Sequence, residues 1–228
     1  MRFTNQIKCA SCNLKCDIYL TAVEMGLADK FEPIQAVYKK HEVICRQNSS
    51  VSHAIVIVEG QAKMLIEGVN QKNIIMYILV PSNYIGLIGV YDIKTYAYSV
   101  AAISECYTCQ IDINFVKELY FSNSNFLKKL NFAFGASVNS IMEKLISLNQ
   151  KQIRGRVADS LLYLSKIYDA TSFTLGITRK ELGEMSAISE ENAVRLLSEF
   201  KNENIIGFEG KEITIKNLAR LKKISEVG

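Results

Sequence analysis

Residues 178–215 constrain the fold of this chain more than any other segment. Thr178 is a suitable N-cap and Glu181 follows it at capping-box spacing, which predicts the start of a short helix. A tight turn is expected at Ser186–Ile188, and Ser189 is placed to cap a second helix. Apolar residues recur at helical spacing in this second helix, so one of its faces is expected to pack in a core. These core positions are Ala193, Leu196, Leu197 and Phe200.

The residues after the second helix are predicted to form a hairpin. Ile205–Phe208 and Glu212–Ile215 have the composition of short strands, and Gly210-Lys211 lies between them at the turn. Two helices, a turn and a hairpin in this order predict a winged helix-turn-helix, although a generic three-helix domain also contains two short helices and a turn. In the winged motif, the exposed start of the second helix enters the major groove of DNA. The candidate DNA-binding residues are Arg179, Lys180, Ser189, Glu190, Glu191, Asn192, Val194, Arg195 and Lys211.

Two of these side chains have the chemistry to contact bases. Arg195 can donate two hydrogen bonds to guanine O6 and N7, and Glu191 can accept one from cytosine N4. Alternatively, Glu191 stabilises the first helical turn through the helix dipole, and Arg195 contacts only a phosphate. The net charge of +4 is divided equally between residues 1–150 and 151–228, so DNA affinity must depend on the local placement of basic side chains.

The motif letters of this segment are similar to those of a known family. The runs T-R-x-E-L-G from Thr178 and S-x-E-x-x-x-R-L-L from Ser189 resemble the C-terminal domain of the Crp/Fnr family, the catabolite activator and fumarate–nitrate reduction regulators. The resemblance implies a transcription regulator that binds a palindromic operator in double-stranded DNA as a homodimer. It also implies RNA polymerase as a partner.

Short strands are predicted between Glu32 and Ile111. Ala54–Val58 and Ala62–Ile66 flank Gly60 and are predicted as a hairpin-like pair, which favours an antiparallel jelly roll or barrel. The runs IVIVEGQAKMLI and PSNYIG resemble the cyclic-nucleotide-binding β-roll that the same family carries N-terminally. Further strands are predicted at Ile74–Leu79, Tyr98–Ile103 and Tyr107–Ile111.

The resemblance implies an effector pocket in the roll at Gly86, Leu87, Gly89 and Tyr96. Cyclic-AMP-binding members carry a Glu in a G-E-L-G run and an Arg-Ser pair that neutralises the phosphate. Here the corresponding residues are Gly86-Leu87-Ile88-Gly89 and Tyr96-Ala97, which carry no charge. Because a buried phosphodiester without a cation loses several kcal/mol of solvation, cyclic AMP is not expected as the effector. An uncharged or hydrophobic ligand such as haem, with incidental cysteines, is the alternative.

A long helix is predicted from about Asn125 to Gln150. Its apolar residues recur at steps of three and four, which indicates either the buried face of a domain helix or a coiled-coil-like dimer seam. The family resemblance favours the dimer. Gly135 interrupts this helix at a cost of about 1 kcal/mol relative to Ala. The predicted dimerisation residues are Leu127, Leu130, Phe134, Val138, Ile141, Leu145 and Leu148.

The spacing of five of the six cysteines bears on metal binding. Cys9, Cys12 and Cys16 are close enough in sequence to share a metal centre, which needs a fourth ligand. In an extended strand Cys106 and Cys109 point to opposite faces, so only one of them can reach that centre. Cys109 lies where oxygen-sensing members of the family place their distal cysteine, and the four-ligand set that follows is Cys9, Cys12, Cys16 and Cys109.

The spacing also departs from that of the oxygen sensors. They have five residues between their second and third N-terminal cysteines, whereas three separate Cys12 from Cys16. A [4Fe–4S] cluster, a zinc or thiol redox switch, and cysteines without a sensory role all remain open. Cys45 is predicted to be a small buried apolar residue. With a cluster, the chain would sense oxygen, nitric oxide or redox state, and without one it would respond to another effector that is not cyclic AMP.

Composition and motifs exclude several other classes of protein. With 228 residues, 49% of them hydrophobic, the chain is expected to fold into two modest domains. It has no apolar run of membrane-spanning length and no secretory signal, so no membrane partner and a cytoplasmic location are expected. No phosphate loop or catalytic triad pattern indicates an enzyme. The predicted α+β organisation is a Cys-containing segment (1–30), an antiparallel β-roll (31–122), a dimerisation helix (123–150) and a winged helix-turn-helix (151–228).

Overall fold

The computed structural model describes the backbone of residues 1–228 and every side chain except those of residues 71 and 227. Contacts between Cα atoms divide the chain into two compact units. The first unit contains Met1–Ile66 and Tyr77–Val138, and the second contains Glu67–Met76 and Asn139–Gly228. Within the described residues, no helix combines the length and the apolar character needed to cross a membrane.

Nine strands form two antiparallel sheets in the N-terminal half of the chain. One sheet has five strands in the order β1-β2-β9-β4-β7, and the other has four in the order β3-β8-β5-β6. The predicted antiparallel roll is therefore confirmed, and all five strands predicted within it are present. The strands are β1 (Arg2–Thr4), β2 (Ile34–Tyr38), β3 (Val43–Cys45), β4 (His53–Glu59), β5 (Ala62–Ile66), β6 (Ile74–Leu79), β7 (Tyr84–Ile85), β8 (Ser99–Ala102) and β9 (Cys106–Asp112).

The five-stranded sheet is buried on both faces. Ile55 and Ile57 of β4 pack toward the four-stranded sheet in a cluster with Val100, which we call the roll interior. Ala54 and Val56 alternate with them and pack on the opposite face against helices. This double burial explains why Ala54–Val58 is a continuous apolar run instead of an alternating one.

Three helices cover the outer face of the five-stranded sheet, and we call them the helical layer. They are α1 (Asp17–Glu24), α2 (Ile113–Ser122) and the first turns of α3 (Ser124–Gln150). Ile18 of α1, Leu119 of α2 and Phe126 of α3 are almost fully buried together. The predicted long helix is one continuous element of 27 residues that includes Gly135.

The second unit contains the predicted winged helix-turn-helix, which is confirmed. Leu161, Leu182 and Phe200, from three different helices, are each fully buried. Three short strands form the wing in the order β10-β12-β11, of which β10 was not predicted from the sequence. The elements are α4 (Ile153–Ile167), β10 (Ser172–Thr174), α5 (Arg179–Ser186), α6 (Glu190–Asn202), β11 (Ile206–Glu209), β12 (Glu212–Ile215) and α7 (Leu218–Val227).

Gly60 is required where β4 turns into β5. Its φ is +83°, and a Cβ there would lie 2.0 Å from the backbone oxygen of Glu105. Gly26 also has a positive φ, of +69°, but a Cβ there would meet no atom within 4 Å. We expect Gly26→Ala to lower the free energy of unfolding by about 1–2 kcal/mol, the cost of the left-handed backbone. Gly60→Ala should cost about 3–5 kcal/mol because the collision adds to that strain.

Urea unfolding of the two variants measures this difference. Gly26→Ala is the matched control, since φ is also positive there but a Cβ would meet no atom within 4 Å. Equal losses in both variants would contradict the importance of the approach to Glu105.

Candidate DNA-binding surface and cysteine site

Local hydrogen bonds set the positions of the two helices of the helix-turn-helix. Thr178 Oγ1 accepts from the backbone N–H of Glu181 at 3.1 Å, and the Glu181 carboxylate accepts from the N–H of Thr178 at 2.6 Å. Ala187, with φ +51°, ends α5 in the left-handed conformation. Ser189 Oγ accepts from the N–H of Asn192 at 3.3 Å and caps α6. The capping box, the turn and the second cap that the sequence predicts are all present.

Gly183 allows the two helices to approach closely. A Cβ at Gly183 would lie 2.9 Å from the carbonyl oxygen of Ile188, which belongs to the turn. This contact gives a physical reason for the glycine of the T-R-x-E-L-G run, since any larger residue would push the turn away from α5. The angle between α5 and α6 therefore depends on this position.

The start of α6 presents one exposed, mostly polar face. Ser189, Glu190 and Glu191 are exposed at its first turn, and Val194 and Arg195 are exposed one turn later. Ala193, Leu196, Leu197 and Phe200 are buried on the opposite face, as predicted. The predicted groove-facing residues therefore share one surface, with Asn192 half-buried at its edge.

Arg179 is engaged within the protein. Its Nη2 donates to the carbonyl oxygen of Gly210 at 2.9 Å, and its guanidinium lies 5.3 Å from the ring centroid of Phe208. Burial lowers the pKa of Arg179 below its ordinary value. Arg179 thus ties α5 to the wing hairpin, whereas Lys180 and Lys211 are exposed. The sequence alone did not indicate this tie, because it depends on the hairpin lying beside α5.

Four of the six cysteines line one cavity in the first unit. They are Cys9, Cys12, Cys16 and Cys109, which is the predicted set. The cavity itself is small, about 20 Å³, which is roughly the room for one water molecule. Its other walls are apolar or aromatic side chains: Ile7, Leu14, Tyr19, Val56 and Val58.

The other two cysteines lie in the roll interior. Cys106 is fully buried there, and its Sγ donates to the carbonyl oxygen of Gln61 at 3.0 Å. Cys109 is three residues further along β9 and packs in the helical layer, so the predicted opposite orientation of the two is confirmed. Cys45 is 7% exposed in the roll interior, as predicted for a small apolar residue.

The environment of Cys9, Cys16 and Cys109 opposes ionisation of these three thiols. Burial raises the pKa of Cys109 to about 12. Cys9, Cys16 and Cys12 add to this rise, because their thiolate charges would repel a thiolate at Cys109. Burial also raises the pKa of Cys9 and of Cys16. Four thiolates in this space therefore need a compensating positive charge, such as a metal centre.

The chemistry of the four thiols is that of a soft donor set. Among the described side chains, no three His, Cys, Asp or Glu side chains are grouped so that they could hold a metal ion. In a [4Fe–4S] cluster each cysteine binds a different iron, and thiolates are the usual ligands. Thiolates also bind zinc, at about 2.3 Å. The donor set is therefore compatible with either kind of centre.

The N-terminal segment is held against β2 by a residue that the sequence analysis did not single out. The Gln35 side chain accepts from the N–H of Ile7 at 3.0 Å and donates to the carbonyl oxygen of the same residue. Gln35 is almost fully buried. Because Ile7 lies two residues before Cys9, this pair of hydrogen bonds positions the first cysteine.

The last N-terminal cysteine is joined to α3 through α1. Cys16 is the N-cap of α1, and the N–H of Asp17 donates to Tyr84 Oη at 3.1 Å. The Asp17 carboxylate pairs with Lys129 Nζ of α3 at 2.7 Å. Cys16 is therefore one residue away from an ion pair between α1 and α3.

The predicted effector positions lie on both faces of the five-stranded sheet. Leu87 packs with the helical layer, and Tyr96 packs in the roll interior on the other face of the sheet. Gly86, with φ +80°, lies beside Tyr96, whose Oη would be 3.0 Å from a Cβ at that position. A Cβ at Gly89 would instead meet Ile113 and Val51 at 2.9 Å.

The predicted seam residues of α3 divide into two groups. Leu127, Leu130 and Phe134 pack against the helical layer of their own chain, and Leu130 is only 4% exposed. Leu127 and Phe134 are half-buried there, so part of each side chain remains accessible. The later positions are accessible: Val138 is 51% exposed, Ile141 39% and Leu145 48%, and Leu148 is half-buried.

Known protein families match both the β-roll and the winged helix-turn-helix. Residues 35–123 match the cyclic nucleotide-binding domain family, and residues 155–224 match the Crp-like helix-turn-helix domain family. The cAMP-activated global transcriptional regulator CRP of Salmonella typhimurium is 26% identical over 183 residues, which cover 78% of this chain and 87% of that protein. The transcriptional activator protein anr of Pseudomonas aeruginosa is 25% identical over 224 residues, covering 94% and 91%.

Solved structures show the same fold. The structure of FixK2 from Bradyrhizobium japonicum superimposes with a TM-score of 0.79 at 18% identity, covering 86% of this chain and 99% of that one. The two curated relatives are named as transcriptional regulators, not as enzymes. The two domain matches, their order along the chain and the shared fold confirm the resemblance found in the sequence. The chain belongs to the Crp/Fnr family of DNA-binding transcriptional regulators.

Proposed function

We propose that this regulator binds palindromic operators as a homodimer and that an iron–sulfur cluster on Cys9, Cys12, Cys16 and Cys109 controls its DNA affinity. The observation that carries this proposal is the shared cavity of these four thiols, at a point where the N-terminal segment joins the helical layer. The site of action is the cytoplasm, and RNA polymerase is the expected partner at promoters.

The chemistry of the cavity supports a cluster over cyclic AMP as the controlling group. Soft thiolates are the ligands that iron–sulfur clusters use, and the apolar walls limit access of water to them. When bound, such a cluster supplies a reaction with oxygen or nitric oxide. Tyr96 occupies the roll position that holds a phosphate-binding cation in cyclic-AMP-binding relatives, and it is buried among apolar side chains.

The residues around the thiols provide a route to α3. With the four cysteines held together, Cys16 is fixed at the start of α1 and Asp17 is fixed beside Tyr84. Without the cluster, the raised pKa values of Cys109 and Cys16 favour neutral thiols. The cluster then no longer holds the N-terminal segment against Cys109. The Asp17–Lys129 ion pair would then transmit a movement of the start of α1 to α3.

The far end of α3 is connected to the DNA-binding helices. Lys144 Nζ donates to the carbonyl oxygen of Met185, the penultimate residue of α5. Ser147 and Lys151 both donate to the Asp159 carboxylate of α4. A shift of this end of α3 would therefore move α4 and α5 with it. In a dimer, such shifts set whether the two recognition helices are about 34 Å apart, one turn of DNA.

A second copy of the chain is the proposed partner of α3. Val138, Ile141 and Leu145 follow heptad spacing and are 39–51% exposed, which is unusual for apolar residues in a row on one helix. Packing of two such stripes across a two-fold axis would bury them. The dimer would also present two copies of α6, as a palindromic site requires.

The four-cysteine set predicts the iron content of the protein. Chain purified without oxygen should be coloured and contain about four irons per chain. Cys109→Ala should lose most of this iron, because it removes one of four ligands. Cys106→Ala is the matched control, a buried cysteine on the same strand that faces the roll interior, and it should keep the iron. Iron analysis and visible absorption measure both, and colourless, iron-free wild-type protein that still binds DNA would refute the cluster.

Loss of the ion pair between α1 and α3 is predicted to leave the iron in place and to weaken the response of DNA affinity to air. Lys129→Ala should keep the iron but reduce the change in DNA affinity when anaerobic protein is exposed to air. Since exposed ion pairs contribute little to stability, the unfolding temperature should stay the same. Lys128→Ala, an exposed neighbour on α3, is the control and should respond like the wild type. A normal response in Lys129→Ala would exclude this route.

The exposed face of α6 predicts which side chains read bases. The probe is a duplex that the wild-type protein enriches from a pool with randomised sequence. Arg195→Ala should weaken binding to this duplex by about 1–3 kcal/mol and relax preference at one G·C pair. Lys211→Ala should weaken binding to all sequences alike and lower the salt slope by about 1. If Arg195→Ala also weakens enriched and scrambled duplexes equally, then Arg195 contacts only the backbone.

A further inference from the structure

Arg195 is held by two side chains of its own helix. Its Nη1 donates to Glu199 Oε1, four residues on, and its Nη2 donates to Asn192 Oδ1 at 3.2 Å, three residues back. An arginine has five N–H donors, so three remain on Nε, Nη1 and Nη2. These are enough for a bidentate contact with guanine while both internal contacts persist.

Glu199 is in turn held by an arginine of α4. Its second oxygen, Oε2, accepts from Arg154 Nη1 of α4 at 3.3 Å. Arg154 is fixed by two further contacts, since its guanidinium lies 4.9 Å from the Phe200 ring centroid and its Nη2 pairs with Glu203 Oε1 at 2.5 Å. Arg220 of α7 pairs with the other oxygen of Glu203 at 2.8 Å. Three helices therefore contribute to a chain of alternating charges that ends at Arg195.

Helix stability accounts for only part of this arrangement. Charge pairs four residues apart stabilise a helix better when the Glu precedes the basic residue, and here Arg195 precedes Glu199. A carboxylate near the exposed face of α6 would also repel DNA phosphates. Glu199 thus gives less stabilisation than the opposite order would and has a cost for DNA affinity, so a role in placing Arg195 is a further reason for its presence.

We propose that Glu199, held by Arg154, is a specificity-determining positioning residue that orients the Arg195 guanidinium for one guanine. This inference rests on the proposed function of Arg195 as a base-reading residue. Fixing the side chain before binding removes part of its rotamer freedom in the free protein, so less is lost on DNA. It also restricts the directions in which the remaining donors point. A phosphate would accept from many arginine orientations, whereas guanine O6 and N7 accept only from a narrow set.

The test compares wild-type protein with Glu199→Gln, Arg154→Met and Glu226→Gln. Two duplexes serve as probes: the one that wild-type protein enriches from a randomised pool, and the same duplex with the Arg195-dependent G·C pair replaced by A·T. Glu226 is exposed on α7, and Glu226→Gln controls for the loss of one negative charge. Substitution of 7-deazaguanine at the same position removes the N7 acceptor and tests direct contact. Thermal unfolding of each variant checks that the fold is kept.

We expect the wild type and Glu226→Gln to prefer the G·C duplex by about tenfold, as a good arginine–guanine pair implies. Glu199→Gln should reduce this preference to about threefold or less, with unchanged or stronger binding to the A·T duplex. Arg154→Met should reduce the preference in the same direction, because Glu199 then loses its support. The penalty for 7-deazaguanine should shrink in both variants.

Two results would overturn the inference and keep the proposed role of Arg195. One is that Glu199→Gln strengthens binding to both duplexes by the same factor, which would make Glu199 only a source of repulsion. The other is that Glu199→Gln leaves both affinities unchanged. A different result, in which Arg195→Ala relaxes no position or no duplex is enriched, would refute base reading by Arg195 and the inference with it.

Discussion

The alternation of side chains along β9 is the constraint on which the rest of the structure depends. Successive residues of this strand face either the roll interior or the helical layer, and the strand lies at the centre of a sheet that is buried on both faces. Cys106 and Cys109 therefore differ in environment although they are three residues apart. A slip of one residue in register would move Cys109 into the roll interior and leave the N-terminal cysteines without their fourth thiol.

Much of the fold could be predicted because its signals are local. The Thr178 capping box, the Ser189 cap and the Gly210 turn each depend on a few neighbouring residues, and all three are present. Cys109 required the strand period in addition, together with a family resemblance. The caps and the turn do not depend on which distant segment packs nearby, whereas the meeting of Cys109 with the N-terminal cysteines does, and only the resemblance indicated it.

The features that were missed depend on contacts between distant segments. Gln35 lies 28 residues from Ile7 along the chain, and Arg179 lies 31 residues from Gly210. Nothing in the sequence around Gln35 or Arg179 indicates which distant residue each side chain contacts. Similarly, the apolar stripe of α3 looked uniform, but packing of Leu130 against the helical layer divides it into a part buried within the chain and a part still accessible.

Gly135 lies in α3 between the part that packs on the helical layer and the part that is accessible. The helix continues through it, and no atom would lie within 4 Å of a Cβ at this position, so space does not require a glycine. Glycine does make the helix easier to unwind there, by about 1 kcal/mol relative to alanine. If α3 transmits displacements as proposed, a weaker point at Gly135 would reduce every displacement that passes through it.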